Sequence, residues 1–320
     1  MKSLVLLLSV FFIGSTFSQE EAYPQEKLYQ VSPHWKVGDQ RKVHTDISSK
    51  VIYDGVMVSN QRTIYDVNLR VLSTNDQFLL HYSSFDRLPS VLSSSEDGSE
   101  NTTSMKIHAL LREAEVEIAK SDLKIQVNKE TGVALEIKNG LEVSKKVEHS
   151  TRKELRAWAA NEKMSEKDLL NMEIEFGKRF EAMYPKIQQT ILDKTSLIFS
   201  PYNIAFPMNS SMEREVMTRD ITAASKSDTL FPAIMKIESI EVNDKMIVKT
   251  SLDYDKAFLL EQLKKSYNKL ENVKPSEVSI IEKEEILFNL NTTWIHHHTT
   301  NLYFEIPGMK TLTKSSVTFL

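Results

Sequence analysis

Alternating apolar and polar side chains mark the first part of the chain as β-structure. The spacing puts one set on a single face of a half-buried strand, and its members are Thr63, Tyr65, Val67, Leu69 and Val71. Turn-prone pairs at Asp54-Gly55 and Asn75-Asp76 predict hairpins on either side of this strand. We therefore interpret residues 19–104 as an N-terminal β region that ends in a mobile, serine-rich surface loop at 83–104.

A helical period replaces the alternation over residues 105–200, around a short hairpin near 123–137. The first apolar stripe consists of Ile107, Leu110, Leu111, Ala114 and Ile118. The second consists of Leu169, Met172, Phe176, Phe180, Met183 and Ile187. Ser165-x-x-Asp168 has the spacing of a helix N-terminal cap before this stripe. Pro185 lies inside the stripe and predicts a kink or an end to the helix.

Strand patterns return over residues 201–320, with one helix after Asp255. Asn243-Asp244 separates two alternating runs and predicts another hairpin. Closing strands are expected over 284–294, 301–306 and 311–320. These patterns predict an α+β fold, in which one or more curved antiparallel sheets use both ends of the chain around a central helical segment. One unit is expected after signal cleavage, and two domains divided near residue 104 or 200 are the alternative.

The first 18 residues have the pattern of a secretory signal peptide. Lys2 precedes an apolar run at 4–13, and small residues lead to Ser18. We expect cleavage after Ser18 and export to the periplasm or the medium. No later stretch of the sequence is apolar enough to predict a membrane span.

Composition excludes several classes of function. A formal net charge of −4 argues against a nucleic-acid partner. The chain has no cysteine, which removes disulfides, thiolate zinc sites, thiol nucleophiles and a bacterial lipoprotein anchor. Its eight glycines include no GxG pair, so dinucleotide fingerprints, phosphate loops and GxSxG nucleophile elbows are absent. We therefore predict no cofactor and no catalytic residue, which favours a non-enzymatic role.

Three consecutive histidines are the segment that most resembles a metal site. On a strand, His296 and His298 would point to one face, and such a pair can chelate a metal. The sequence indicates no third ligand, so we predict no metal and interpret the segment as a solvent-facing turn. Separately, the sequence contains three N-glycosylation sequons, whose use depends on the host: Asn101, Asn209 and Asn291.

Two further segments carry a resemblance. One is His34-Trp35-Lys36-Val37-Gly38-Asp39, and the other runs from Lys129-Glu130-Thr131-Gly132-Val133 to Ile137-Lys138-Asn139-Gly140-Leu141-Glu142-Val143. With the leader that ends Phe-Ser-Gln, they resemble exported bacterial proteins of unknown function, common in the Bacteroidota. The order of strands, helices and strands is also similar to that of carriers of the LolA/LppX type. The first resemblance implies export, and the second implies an open half-barrel over helices and an apolar cavity.

Three functions remain open at this stage. The first hypothesis is a binding or carrier module for an apolar or envelope-derived ligand, with Phe176, Phe180 and Met183 as candidate contacts. An envelope structural or protein-interaction protein is the alternative. The third is a cofactor-independent hydrolase of envelope polymers. A large apolar cavity would favour the first, an exposed apolar patch the second, and a polar cleft with converging acids or histidines the third.

Overall fold

Eleven strands form one curved antiparallel sheet in the computed structural model, which describes residues 28–84, 102–219, 230–266 and 270–320. They are β2 (Gln40–Tyr53), β3 (Val56–Ser73), β4 (Phe78–Ser84), β5 (Leu123–Val127), β6 (Ala134–Ile137), β8 (Ser211–Arg219), β9 (Leu230–Val242), β10 (Lys245–Tyr254), β11 (Ser279–Asn289), β12 (Ile295–Ile306) and β13 (Met309–Phe319). Two short strands, β1 (Leu28–Gln30) and β7 (Ala205–Pro207), pair separately. The helices are α1 (Thr102–Lys120), α2 (Gly140–Asn161), α3 (Glu166–Phe199) and α4 (Lys256–Ser266).

The order of the strands joins the two ends of the chain. It runs β6-β5-β4-β3-β2-β13-β12-β11-β10-β9-β8, so β2 and β13 lie side by side near the middle. Their pairing extends from Val43 opposite Phe319 to Tyr53 opposite Met309. The predicted α+β class, with one sheet drawn from N- and C-terminal regions around central helices, is confirmed.

The hairpins form where turn-prone pairs predicted them. Asp54 and Gly55 connect β2 to β3 with φ of 48° and 79°. Asn243 and Asp244 connect β9 to β10 with φ of 47° and 58°. Two consecutive left-handed residues match the right-handed twist of the flanking strands, which is why Asn, Asp and Gly are favoured in such turns.

The second helical stripe forms a single helix through its proline. Ser165 caps α3 by accepting a hydrogen bond from the Asp168 backbone N–H, as its spacing predicted. Of the two outcomes predicted at Pro185, a kink or an end of the helix, the end is wrong, because α3 continues to Phe199. Pro185 and the preceding-turn residue Glu181 are both exposed, so water can satisfy the carbonyl that proline leaves unpaired.

Two other elements differ in their bounds from the sequence interpretation. The serine-rich segment is shorter than 83–104, because Ser84 belongs to β4 and α1 begins at Thr102, while 85–101 lie outside the described residues. The predicted signal peptide at 1–18 also lies outside the described residues. The predicted strand 284–294 ends at Asn289, and β12 begins at Ile295.

The helices cover one side of the sheet, and most of them lie over its N-terminal half. Helices α1, α2 and α3 contact β4, β5 and β6, respectively, whereas α4 contacts β9. We call the covered side the inner face. No helix in the described part of the chain is long and apolar enough to cross a bilayer.

An aromatic cluster packs the end of α3 against segments from both halves of the sheet. Trp35 stacks on Trp294 with ring centroids 4.3 Å apart, and Phe199 lies 5.0 Å from Trp35. The Tyr202 hydroxyl donates to the Thr293 carbonyl over 2.7 Å. Gly132 packs beneath, with φ of +68°, where an added Cβ would lie 2.9 Å from Phe199 Cβ. Both segments that carried the sequence resemblance therefore contribute to one structural cluster.

Candidate ligand-binding site

The three aromatic and methionine candidates of the second stripe are core residues of α3. Phe176, Phe180 and Met183 are at most 3% exposed. The Phe176 and Phe180 rings lie 5.8 Å apart. The Arg152 guanidinium of α2 lies 5.4 Å from the centre of the Phe176 ring, so α2 covers that ring. These side chains join the helical layer to the core.

A lysine near the end of the same helix points toward the sheet. The Lys194 ammonium lies 4.5 Å from the centre of the Tyr65 ring of β3. Its nitrogen is buried and has no hydrogen-bond partner among the described residues. Burial lowers the pKa of Lys194 to about 7, although the Glu115 carboxylate of α1 acts in the opposite direction. Sequence reasoning missed this group because a lysine beside an apolar stripe is usually solvated.

A buried histidine and carboxylate lie on the inner face of the C-terminal half. His298 Nε2 is 2.6 Å from Glu284 Oε1, with side-chain exposures of 3% and 10%. The Thr250 hydroxyl donates to the other Glu284 oxygen over 3.2 Å. Thr300 Oγ1 lies 3.3 Å from the same His298 Nε2, and His298 Nδ1 has no hydrogen-bond partner among the described residues.

The geometry of this pair differs from that of an activated nucleophile. In a hydrolytic triad, the acid and the nucleophile bind opposite nitrogens of the imidazole, so that one orients the ring while the other loses a proton. Here Glu284 and Thr300 both approach Nε2 of His298. The arrangement therefore holds the histidine in place without preparing the Thr300 hydroxyl for attack.

A second buried carboxyl lies one row away on the same face. The Tyr254 hydroxyl donates a hydrogen bond to Glu282. Burial raises the pKa of Glu282, and the neighbouring Glu284 charge raises it further. Burial likewise raises the pKa of Tyr254. This half of the inner face thus carries a partnered, poorly solvated polar cluster: Thr250, Tyr254, Glu282, Glu284 and His298.

The histidine run lies in strand β12, so its interpretation as a solvent-facing turn is wrong. A register shift opposite Leu287 and Phe288 interrupts the alternation at the start of the strand. As a result His298 is buried while His296 is exposed, and the two do not share one environment. His297 faces outward and contacts the Thr318 hydroxyl over 3.0 Å. No group of three His, Asp or Glu side chains among the described residues is arranged to hold a metal.

Two of the three sequon asparagines lie in exposed turns. Asn209 is exposed, and its side chain accepts a hydrogen bond from the Glu241 backbone N–H. Asn291 is exposed in the turn between β11 and β12. Asn101 lies outside the described residues.

The sequence matches no protein-family model and no curated protein.

Proposed function

We propose that the protein is an exported, non-enzymatic binding or carrier module for an apolar ligand, held between the inner face of the curved sheet and α3. A site for a small apolar molecule is mostly lined by hydrophobic side chains and has a few polar groups that orient the ligand. The interior at α3 has this composition, since Lys194 and Tyr65 lie among the apolar residues of the core.

The observation that carries the proposal is the Lys194 ammonium. A buried cation without a hydrogen-bond acceptor destabilises the folded protein, because burial removes its hydration without replacing it. An acidic group on an apolar ligand would supply that acceptor. Lys194 therefore supports an amphiphile with a hydrocarbon body and a carboxylate, whether derived from the envelope or from outside it.

A paired titration tests this chemistry. We would measure binding of a fluorescent fatty acid and of its uncharged methyl ester to the folded protein, and record native mass spectra of protein from its own host. We expect saturable binding of the acid with a micromolar Kd, or about −8 kcal/mol. Lys194→Met should weaken binding of the acid about tenfold and leave the ester unchanged. Phe180→Ala should alter the preferred chain length.

Lys186→Met is the matched control, since Lys186 is exposed on the same helix. It should leave both ligands unaffected. Absence of an adduct together with absence of saturable binding would contradict the carrier proposal.

An envelope protein-interaction role is the second candidate. Strand β3 begins, just after the turn that joins it to β2, with three exposed apolar side chains. They are Val56, Met57 and Val58, which are 53–66% exposed. An exposed apolar group of this kind is typical of a surface that contacts another molecule. The hydrolase alternative has less support, because the buried acids and histidine pair with one another.

A further inference from the structure

A groove lies on the outer face of the sheet, opposite the helices. It has a volume of about 390 Å³ and crosses β2, β11, β12 and β13. Ile281 and Leu312 contribute apolar side chains to it. Its polar lining includes Ser48, Lys50, Lys283, Asn301, Tyr303 and Lys314.

The strand register brings the three lysines close together. Lys314 of β13 pairs with Asn301 of β12, and Asn301 pairs in turn with Lys283 of β11. Lys283 and Lys314 are therefore two strands apart. That separation is about 10 Å between backbones. Lys314 also pairs with Ser48, and Lys50 lies two residues further along β2, at a diagonal separation of about 7–8 Å. Flexible lysine side chains can converge across such distances on a single ligand.

The carboxylates nearest this groove already have partners. Asp46 accepts from Arg62 at 2.7 Å, Glu285 pairs with Lys249 at 3.5 Å, and Glu305 accepts from the Tyr303 hydroxyl. No carboxylate lines the groove in the described part of the chain.

The groove lysines therefore form no ion pairs with these carboxylates. Lys50, Lys283 and Lys314 are all exposed, and none forms an ion pair with a described carboxylate. Lys310, which lies opposite Glu305 in the pairing of β12 with β13, is 4.8 Å from the centre of the Tyr303 ring. The positive field is also felt by neighbouring groups: the pKa of Asp46 is lowered chiefly by Arg62, with Lys314 contributing. Like charges so close together repel one another, and a bound anion would relieve that repulsion.

We propose that this groove binds a polyanionic ligand that carries at least two phosphate-type charges. Lysine ammoniums act as point charges for phosphate oxygens. Three lysines distributed over four neighbouring strands suit a ligand longer than one phosphate, and Ser48 and Asn301 offer additional hydrogen bonds. The apolar part of the lining can contact the carbon skeleton of such a ligand. This site is separate from the interior site proposed above and lies on the other face of the sheet.

Lysine footprinting on the unmodified protein tests the site directly. In one arm, the lysines would be acylated with and without inorganic pyrophosphate. In the other, they would be acylated in the presence of phosphatidylcholine vesicles that contain or lack phosphatidylglycerol. Mass spectrometry would then measure the acylation of each lysine. We expect pyrophosphate to protect Lys50, Lys283 and Lys314 while the exposed lysines of α2 remain reactive. Protection by the anionic vesicles alone would identify a lipid headgroup as the source of the phosphate.

Matched variants measure the contribution of the groove. Replacing Lys50, Lys283 and Lys314 together by Gln should weaken binding of the protective probe by about tenfold or more. The control replaces Lys145, Lys146 and Lys153 of α2, which are also exposed, by Gln and changes the net charge equally. It should change affinity less than about twofold. The proposal would be overturned if neither pyrophosphate nor the anionic vesicles protected the three lysines. An equal loss of affinity in the two triple variants would also overturn it.

Discussion

The two halves of the sheet present different chemistry on the same inner face. Under α1–α3, the N-terminal strands contribute a mainly apolar surface that includes Val67, Leu69 and Leu80. Toward β10–β13, the same face has buried threonines and serine together with the Glu284–His298 pair. Helices with apolar stripes cover the first surface. In the second, hydrogen bonds within the sheet satisfy only part of the buried polar groups: Glu284 accepts from the Thr250 hydroxyl, whereas Thr311 Oγ1 and His298 Nδ1 have no hydrogen-bond partner among the described residues. The same strand architecture thus buries apolar side chains in one half and partly paired polar groups in the other.

The largest expected effect lies in the half of the molecule where α1–α3 cover the sheet, which we call the apolar half. Phe180→Ala should lower the free energy of unfolding by about 3–5 kcal/mol, because it removes a buried ring and leaves a cavity. Denaturant unfolding measures this change. Leu170→Ala, at an exposed position of the same helix, should cost less than about 1 kcal/mol. Equal losses for both variants would show that the stripe does not anchor the helical layer.

The half of the inner face toward β10–β13, which we call the polar half, should become less stable when a single buried charge is removed. Glu284→Gln should lower the free energy of unfolding by about 1–3 kcal/mol, since buried His298 then loses its anionic partner. Glu285→Gln is the control, because this neighbour faces outward with a side chain 54% exposed. It should change stability by less than about 0.5 kcal/mol. If the two variants unfold at the same denaturant concentration, the buried pair contributes nothing.

Lys194 should behave in the opposite way, because its removal stabilises the protein. Lys194→Met should raise the free energy of unfolding by about 1–3 kcal/mol at pH 6. The pKa of Lys194 is lowered to about 7 in the folded protein, against about 10.4 in an unfolded chain. Between these values the unfolded chain binds more protons, so this residue makes stability rise with pH.

Unfolding curves at several pH values measure that contribution. The advantage of Lys194→Met should be fully present below about pH 7 and disappear toward pH 10. Lys186→Met, at an exposed position, should show no such trend. A constant difference across the range would contradict a lowered pKa.

The smallest expected effect concerns the histidine run. A chelator should leave the melting temperature unchanged, because His298 is occupied by Glu284 and His296 is exposed away from it. Structural zinc contributes about 10 kcal/mol or more, so its removal would be conspicuous. A fall of several degrees that zinc reverses would show that the polar half contains a metal site.

Local sequence patterns predicted the helices and turns better than they predicted the contacts between residues that are distant in the chain. The helical period at 169–187 and the Asn243-Asp244 turn depend on residues close together in the chain, and both are confirmed. The Glu284–His298 contact depends on the pairing of β11 with β12 and on the register shift near Phe288. That shift changes which histidine is buried, and an alternation rule cannot detect it. Lys194 meets Tyr65 only through tertiary packing, which no local pattern encodes.

The pairing of β2 with β13 has a consequence for biosynthesis. Val43 lies opposite Phe319, so the central ladder joins segments that leave the ribosome far apart in time. A nascent chain translated only through β12 holds two incomplete sheets, each with an unpaired edge where β13 will insert. Contacts this distant in sequence slow folding, because the intervening chain must be ordered before they form. Strand β13 therefore sets the earliest moment at which the β2 and β12 edges can be joined. A chaperone that shields those two edges would act before β13 is synthesised.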